Sequence, residues 1–294
     1  MTTGLIRELQ PALAAALDRH LSVAKEWFPH EYVPWDEGRD FAALPWSETQ
    51  SALSPAVRTS VQLNLLTEDN LPGYHRELSE VFGREGAWRE WTDRWTAEEG
   101  RHAIVIRDYL LVTRAVDPIT LERERMATMS RGFGAPSKSA LATLAYVSLQ
   151  ELATRVAHRN TGLVAGEGGL DRLLARVAAD ENLHMVFYRS LVAAALEIAP
   201  SETLTALAEE VEGFAMPGTG IPGFVRKAAL VARAGIYDLR IHRDEVVAPL
   251  LAYWRVWELT GLDSAGEQAR DRLVAAVGEL DRRVARSERV RVEV

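Results

Sequence analysis

Two copies of the pattern Glu-x-x-His, Glu99-Gly100-Arg101-His102 and Glu181-Asn182-Leu183-His184, constrain this chain more than any other feature of it. On a helix, side chains three residues apart lie on one face about a turn apart, so each pair can reach one metal ion. A single match in a chain with seven histidines says little. The spacing around the two matches says more. Glu68 stands 99 − 68 = 31 residues before the first, and Glu151 stands 181 − 151 = 30 before the second. The chain therefore repeats a unit in which a helix bearing a glutamate is followed by a helix bearing Glu-x-x-His.

Glu68, Glu99, His102, Glu151, Glu181 and His184 make up the ligand set of ferritin-like di-iron and di-manganese carboxylate bundles. Two neighbouring divalent cations need anionic oxygens between them to offset their repulsion, and one neutral nitrogen per metal suits iron. Four carboxylates balance the four charges of two Fe2+ ions, so a buried site can be neutral. With no cysteine in the chain, thiolate zinc sites, iron–sulfur clusters and disulfides are excluded, leaving histidine and carboxylate as the strong ligands. Trp95, Glu99, His102 and Ile106 fall on one helical face, as do Val177, Glu181, His184 and Tyr188, and Val147, Glu151 and Thr154. Two Fe ions are the expected cofactor, and manganese suits the same ligands.

The expected fold is all-α, a ferritin-like four-helix core with additional helices. Alanine, leucine, glutamate and arginine dominate, and no sustained period-two alternation marks a strand. Helices are predicted over about Leu5–Glu26, Ser54–Asn70, Pro72–Val81, Ala87–Val112, Pro118–Ser130, Lys138–Arg159, Gly169–Ile198, Ser201–Phe214, Gly223–Tyr237, Arg243–Trp257 and Ser264–Arg289. Turn-forming runs punctuate them at Asp117-Pro118, Gly132-Phe133-Gly134-Ala135-Pro136 and Met216 to Gly223. The stretch from about 28 to 53, with Pro29, Pro34 and Pro45, reads as an irregular strap, and about 264–289 as a charged C-terminal helix. No linker separates domains, so residues 1–294 read as one. The N-terminus meets charges at once, and no apolar run reaches the roughly 18 residues of a membrane span. A soluble cytoplasmic protein is expected, and the net charge of −8 argues against nucleic acid as a general partner.

The chain also resembles the soluble acyl-[acyl-carrier-protein] desaturases, the family of the plant stearoyl enzyme, and most of all their actinobacterial branch. The resemblance runs from about residue 20 to 285. Thr67-Glu68-Asp69-Asn70-Leu71-Pro72-Gly73-Tyr74, Trp95-Thr96-Ala97-Glu98-Glu99-Gly100-Arg101-His102, Gln150-Glu151-Leu152-Ala153-Thr154 and Ala179-Asp180-Glu181-Asn182-Leu183-His184 carry it. Leu259-Thr260-Gly261-Leu262, Met216-Pro217-Gly218-Thr219 and Gly235-Ile236-Tyr237-Asp238 add to it.

The resemblance implies O2-dependent desaturation of a fatty acyl chain tethered to acyl carrier protein, in a homodimer. It places the metal ligands on the six residues that the spacing selects. It also implies that Thr154 sits beside the oxygen-binding face, and that Asp180, bonded to a ligand histidine, lies with Trp27 on the route by which electrons enter. No flavin or nicotinamide motif is visible, so a ferredoxin-type donor is expected. The acidic carrier needs a basic surface, and Arg226, Lys227, Arg233, Arg240 and Arg243 form the densest candidate. Where the plant enzymes read Gly-Phe-Ile-Tyr-Thr-Ser, this chain has Thr143-Leu144-Ala145-Tyr146-Val147-Ser148, so chain length and double-bond position do not carry over. The ligand set leaves hydroxylation of a carrier-tethered chain open. A ferritin-like storage role is opposed by the length, the extra helices and the strap, and a ferritin-like metal-binding protein without turnover is the other alternative.

Overall fold

The computed structural model describes residues 2–132 and 138–292, and every regular element among them is helical. In order these are α1 (Thr2–Glu8), α2 (Gln10–Val23), α3 (Pro55–Glu68), α4 (Leu71–Phe82), α5 (Gly86–Val112), α6 (Pro118–Arg131), α7 (Ala140–Ala165), α8 (Gly168–Ile198), α9 (Pro200–Gly213) and α10 (Phe224–Arg233). There follow α11 (Leu239–Ile241), a π-turn (His242–Val247), α12 (Ala248–Tyr253) and α13 (Ser264–Val292). The turn read at Phe133 to Pro136 lies outside the described residues.

Helix starts follow from short polar caps. Ser54, Asp117 and Ser139 accept from the backbone N–H of Val57, Ile119 and Ala142, and Pro55 and Pro118 occupy first-turn positions whose N–H would have no partner. Between α7 and α8 the chain reverses at Gly166, whose φ of 64° is the left-handed conformation that only glycine adopts without strain. The Glu167 carboxylate then accepts from Gly169 and Leu170 at 2.7 and 2.6 Å and starts α8.

Several expectations differ in detail; the helix read over Gly223–Tyr237, for one, ends at Arg233, ahead of Gly235 with its φ of 72°. The helix read over Leu5–Glu26 is broken at Leu9, because Pro11 has no N–H to continue the ladder, and it ends at Val23. The α7 helix runs six residues past Arg159, to Ala165. The helix read over Arg243–Trp257 begins at Leu239, passes through the π-turn and stops at Tyr253. The strap over 28–53 is irregular apart from three short 3-10 turns.

The core is formed by α3, α5, α7 and α8, with α7 packed along α8, α3 against α5 and α7, and α5 against α8. One stripe of α5 supplies Trp88, Trp91 and Trp95. Trp91 stacks on Phe187 with ring centres 3.5 Å apart, and its indole N–H donates to the Tyr188 hydroxyl at 2.9 Å. Burying each such ring stabilises the fold by roughly 2–3 kcal/mol. This apolar wall fixes the rotation of α5 and α8, and with it the direction in which their charged residues point. The partial wrap from α2 brings His20 against the bundle, and the strap brings Trp27.

Candidate metal centre

All six glutamates and histidines selected by spacing are buried at one level of the bundle. Glu68 comes from α3, Glu99 and His102 from α5, Glu151 from α7, and Glu181 and His184 from α8. They fall into two overlapping groups whose ligand atoms lie within 4.8 Å of one another: Glu68, Glu99, His102 and Glu181, and Glu99, Glu151, Glu181 and His184. Glu99 and Glu181 belong to both, as two bridging carboxylates would, and Glu68 and Glu151 belong to one each. Both imidazoles turn Nδ1 inward. His102 Nδ1 is 3.5 Å from Glu99, 3.3 Å from Glu181 and 3.8 Å from Glu68. His184 Nδ1 is 2.8 Å from Glu99 and 3.6 Å from Glu151.

The electrostatics are those of crowded negative charge. Burial, then the neighbouring Glu99 and Glu181, push Glu68 well above the usual carboxylate range; burial and Glu181 do the same to Glu151. Burial would lower both ligand imidazoles, but the surrounding carboxylates outweigh it and hold His102 and His184 above the ordinary histidine range. Four buried polar atoms aimed into the cluster make no hydrogen bond: Glu99 Oε1, His102 Nδ1, Glu151 Oε2 and His184 Nδ1. Inward-facing orphans on this oxygen-rich donor set fit a pair of divalent cations, which would supply the missing partners and the missing positive charge. No other group of described residues assembles such a set.

Around the ligands lies a nearly complete ring of orienting contacts. Asp180 faces His102 Nε2 at 3.4 Å and accepts from the Trp27 indole N–H at 2.7 Å, while Arg176 pairs with its other oxygen. Burial opposes the charge on Asp180, but its bonds to His102, Arg176 and Trp27 hold it below the usual carboxylate range. Thr154 donates to Glu181 at 2.9 Å, and Trp95 donates to Glu151 at 3.1 Å. Trp27, Asp180 and Thr154 thus sit in contact with, or one residue away from, the six ligands.

Three contributors had not been singled out from the sequence. Glu98 places one oxygen 2.9 Å from His184 Nε2 and 3.0 Å from His20 Nε2, with Arg94 on the other oxygen at 2.6 Å. Burial would raise Glu98, but the two imidazoles hold it well below the carboxylate range. His158 meets Glu68 at 3.1 Å; Asn64 donates to its Nδ1, which leaves Nε2–H to donate to the carboxylate. Burial keeps His158 neutral, with a pKa lowered to about 4. The i, i+7 spacing of Glu151 and His158 was the available signal for it.

On one side the centre faces a small cavity lined by Thr67, Glu68, Tyr74, Thr143, Tyr146 and Thr154, among others. A second, largely apolar cavity also reaches Thr67 and Thr154, and extends toward Phe224, Ala228 and Val231 of α10. The basic cluster expected near α10 is partly neutralised. Lys227 pairs with Glu124, Arg240 approaches Glu288, and Arg243 pairs with Asp244 and Asp281; Arg226 and Arg233 are exposed.

A helical bundle with two Glu-x-x-His helices, two further glutamate helices and a cavity at the cluster defines a ferritin-like protein with a buried carboxylate–histidine cluster that could hold metal ions. Comparison with known proteins places it within that class. Residues 2–293 match the family described as fatty acid desaturase, and the chain belongs to that family. It is 44% identical over 288 residues to DesA1 of Mycobacterium tuberculosis, named as a candidate acyl-[acyl-carrier-protein] desaturase, covering 94% of this chain and 85% of that one. It is 28% identical over 269 residues to the chloroplastic stearoyl-[acyl-carrier-protein] 9-desaturase of Spinacia oleracea, covering 85% of this chain and 67% of the other. The solved structure of DesA2 from M. tuberculosis, also named as a candidate acyl carrier protein desaturase, superposes with a TM-score of 0.75 at 30% identity. It covers 90% of this chain and 99% of its own. The family and the acyl carrier protein desaturase assignment in the sequence reading stand, and no helix among the described residues is long and apolar enough to cross a membrane.

Proposed function

We propose that this protein is an O2-dependent desaturase that introduces a cis double bond into a fatty acyl chain carried on acyl carrier protein. It would use two iron ions held by Glu68, Glu99, His102, Glu151, Glu181 and His184, and electrons from a ferredoxin-type donor. The observation that carries this reading is the pair of overlapping groups of candidate ligands, whose shared Glu99 and Glu181 line a cavity together with Glu68. The carrier-bound substrate is supported by the relatives, which are named for it. Residues 1–294 act as one domain, in a cytoplasmic homodimer.

Bound there, the iron pair would supply O2 activation and hydrogen abstraction. The chain supplies the rest. The stripe Thr143, Val147, Gln150 and Thr154 on α7 lies along the cavity and holds an extended hydrocarbon beside the centre. Thr154 fixes the shared carboxylate of Glu181, and the dense wall of tryptophans excludes water from the far side. Trp27, through Asp180, forms a bonded path from the strap to His102 along which an electron can be passed.

The test is turnover of iron-loaded protein with ferredoxin, its reductase, NADPH, O2 and acyl carrier protein thioesters, read by mass spectrometry of the acyl chain. A loss of about two mass units is expected; a gain of about sixteen would reassign the reaction to hydroxylation at the same centre. No change with iron bound would overturn the catalytic reading.

A further inference from the structure

The cavity that faces the metal centre is walled largely by apolar side chains, Leu78, Trp95 and Val147 among them, and by three threonines, Thr67, Thr143 and Thr154. Two of the three hydroxyls are committed. Thr67 donates to the Leu63 and Asn64 carbonyls at 3.2 and 2.7 Å, and Thr154 bonds the Gln150 and Glu151 carbonyls and Glu181. Thr143 differs. It is 2% exposed, and its Oγ1 makes no hydrogen bond.

Elsewhere on α7 a buried hydroxyl is satisfied by its own helix. Ser148 donates to the Leu144 carbonyl at 2.7 Å and Thr161 to the Ala157 carbonyl at 2.6 Å, each four residues back. The carbonyl four residues before Thr143 is that of Ser139. It accepts the Thr143 backbone N–H at 2.8 Å but not the hydroxyl. A hydroxyl shut into an apolar wall with no partner is costly unless a ligand completes it. Its position suits that task. Thr143 stands eight residues before Glu151 on α7, about 12 Å of helix rise, and Val147 and Gln150 line the same cavity between them. A chain lying along this face passes Thr143 and the centre together.

We infer that Thr143 recognises a hydroxyl group carried by the acyl chain, so that the preferred substrate class is an oxygenated acyl chain and not a plain hydrocarbon. The inference rests on the acyl carrier protein reading above. A threonine hydroxyl donates one hydrogen bond and accepts others, which matches a second hydroxyl in either direction. An unsubstituted chain sets methylenes against Thr143 and leaves its Oγ1 buried and unpaired, whereas a hydroxylated chain of the same length completes it. A site built to bond a substrate hydroxyl discriminates against the analogue that lacks it, because its own polar group is then stranded.

The experiment measures binding of acyl carrier protein to metal-loaded wild type, Thr143→Val and Thr143→Ser. All carried chains have one length: one is saturated and unsubstituted, and the others bear a single hydroxyl at successive carbons. Wild type is expected to bind one hydroxyl position about ten-fold more tightly than the plain chain. Thr143→Val keeps the outline of the side chain without its hydroxyl. It should move the two affinities in opposite directions, tightening the plain chain and weakening the hydroxylated one. Thr143→Ser should keep the preference. Should the valine variant not fold, Thr143→Ala takes its place, with loss of the preference expected. Equal or weaker binding of every hydroxylated chain by wild type, or a preference that survives in Thr143→Val, overturns the inference and leaves the acyl reading intact. Failure of the wild type to bind any acyl chain would overturn both.

Discussion

The two halves of the candidate metal centre carry the same inner residue types and different outer ends. Around His102, the outward nitrogen meets Asp180, whose oxygen accepts from the Trp27 indole in the strap. Around His184, the outward nitrogen meets Glu98, whose oxygen is shared with His20 of α2. Arg101 lies 3.5 Å from Asp180 and 3.8 Å from Glu98, tying the two outer carboxylates together. One half therefore ends in an indole whose ring lies nearly parallel to that of His102, 16° apart, and the other in a second imidazole. An indole can pass an electron but holds its proton, whereas an imidazole is built to exchange protons. A repeated ligand pattern has been made inequivalent by what stands one residue further out.

The largest expected effect comes from removing what the halves share. Glu99→Gln leaves both groups short of one bridging carboxylate and leaves two buried imidazoles beside an uncharged amide. Breaking such a buried charged contact costs about 3–5 kcal/mol. Iron titration followed by mass spectrometry of the intact protein should show both metals lost together. Glu68→Gln, which alters one half only, should leave a single ion. Retention of two ions by Glu99→Gln would mean that Glu99 does not bridge.

The clustering of the six glutamates and histidines was legible because helical geometry makes i, i+3 pairs and a doubled interval of about 30 residues visible in one dimension. The outer ring was less so. Glu98 is the immediate neighbour of Glu99, and nothing in the local sequence says which way it points; only the packing of α2 and α8 turns it toward His20 and His184. His20 is 78 residues from Glu98 and has no local signal at all. Trp27 and Asp180 were placed through family resemblance, since no spacing rule links a strap residue to α8. The break at Leu9 has its signal in the sequence, in Pro11 two residues on. The π-turn at 242–247 was not legible, because the turn packs against α7 and α13, which are distant in sequence.

That turn holds a third kind of buried histidine, which sharpens the contrast. His242 stacks on Phe214 at 4.7 Å and meets the Tyr237 hydroxyl at 2.9 Å; the charge that acts on it is that of Arg283. With no carboxylate to favour the proton, burial lowers its pKa from 6.5 to about 4, the opposite of His102 and His184. The unfolded chain binds this proton below pH 6.5 and the fold does not until about 4, so stability is lost as pH falls through that window. The loss attributable to His242 is on the order of 3 kcal/mol. Denaturant melts of His242→Gln should run closer to wild type as the pH drops from 6.5 to 4, since glutamine acquires no proton. Parallel curves across the window would show that His242 is already protonated in the fold.

The smallest effects test the outer ends themselves. Removing the carboxylate that orients a ligand histidine typically weakens metal binding by about 10–100-fold. Asp180→Asn should weaken only the ion at His102, and Glu98→Gln only the ion at His184, so a metal titration of each variant should separate into one unchanged and one weakened phase. The next residue out distinguishes the roles. Trp27→Phe removes one indole donor to Asp180, which costs about 1 kcal/mol of orientation and little metal. It should nonetheless slow reduction of the loaded centre by ferredoxin well beyond the change in affinity. His20→Phe, the matching change at the other end, should alter affinity to a similar degree and leave the reduction rate alone. Equal slowing by both would mean that the two outer ends are structurally different and functionally interchangeable. In that case the asymmetry would belong to packing and not to electron entry.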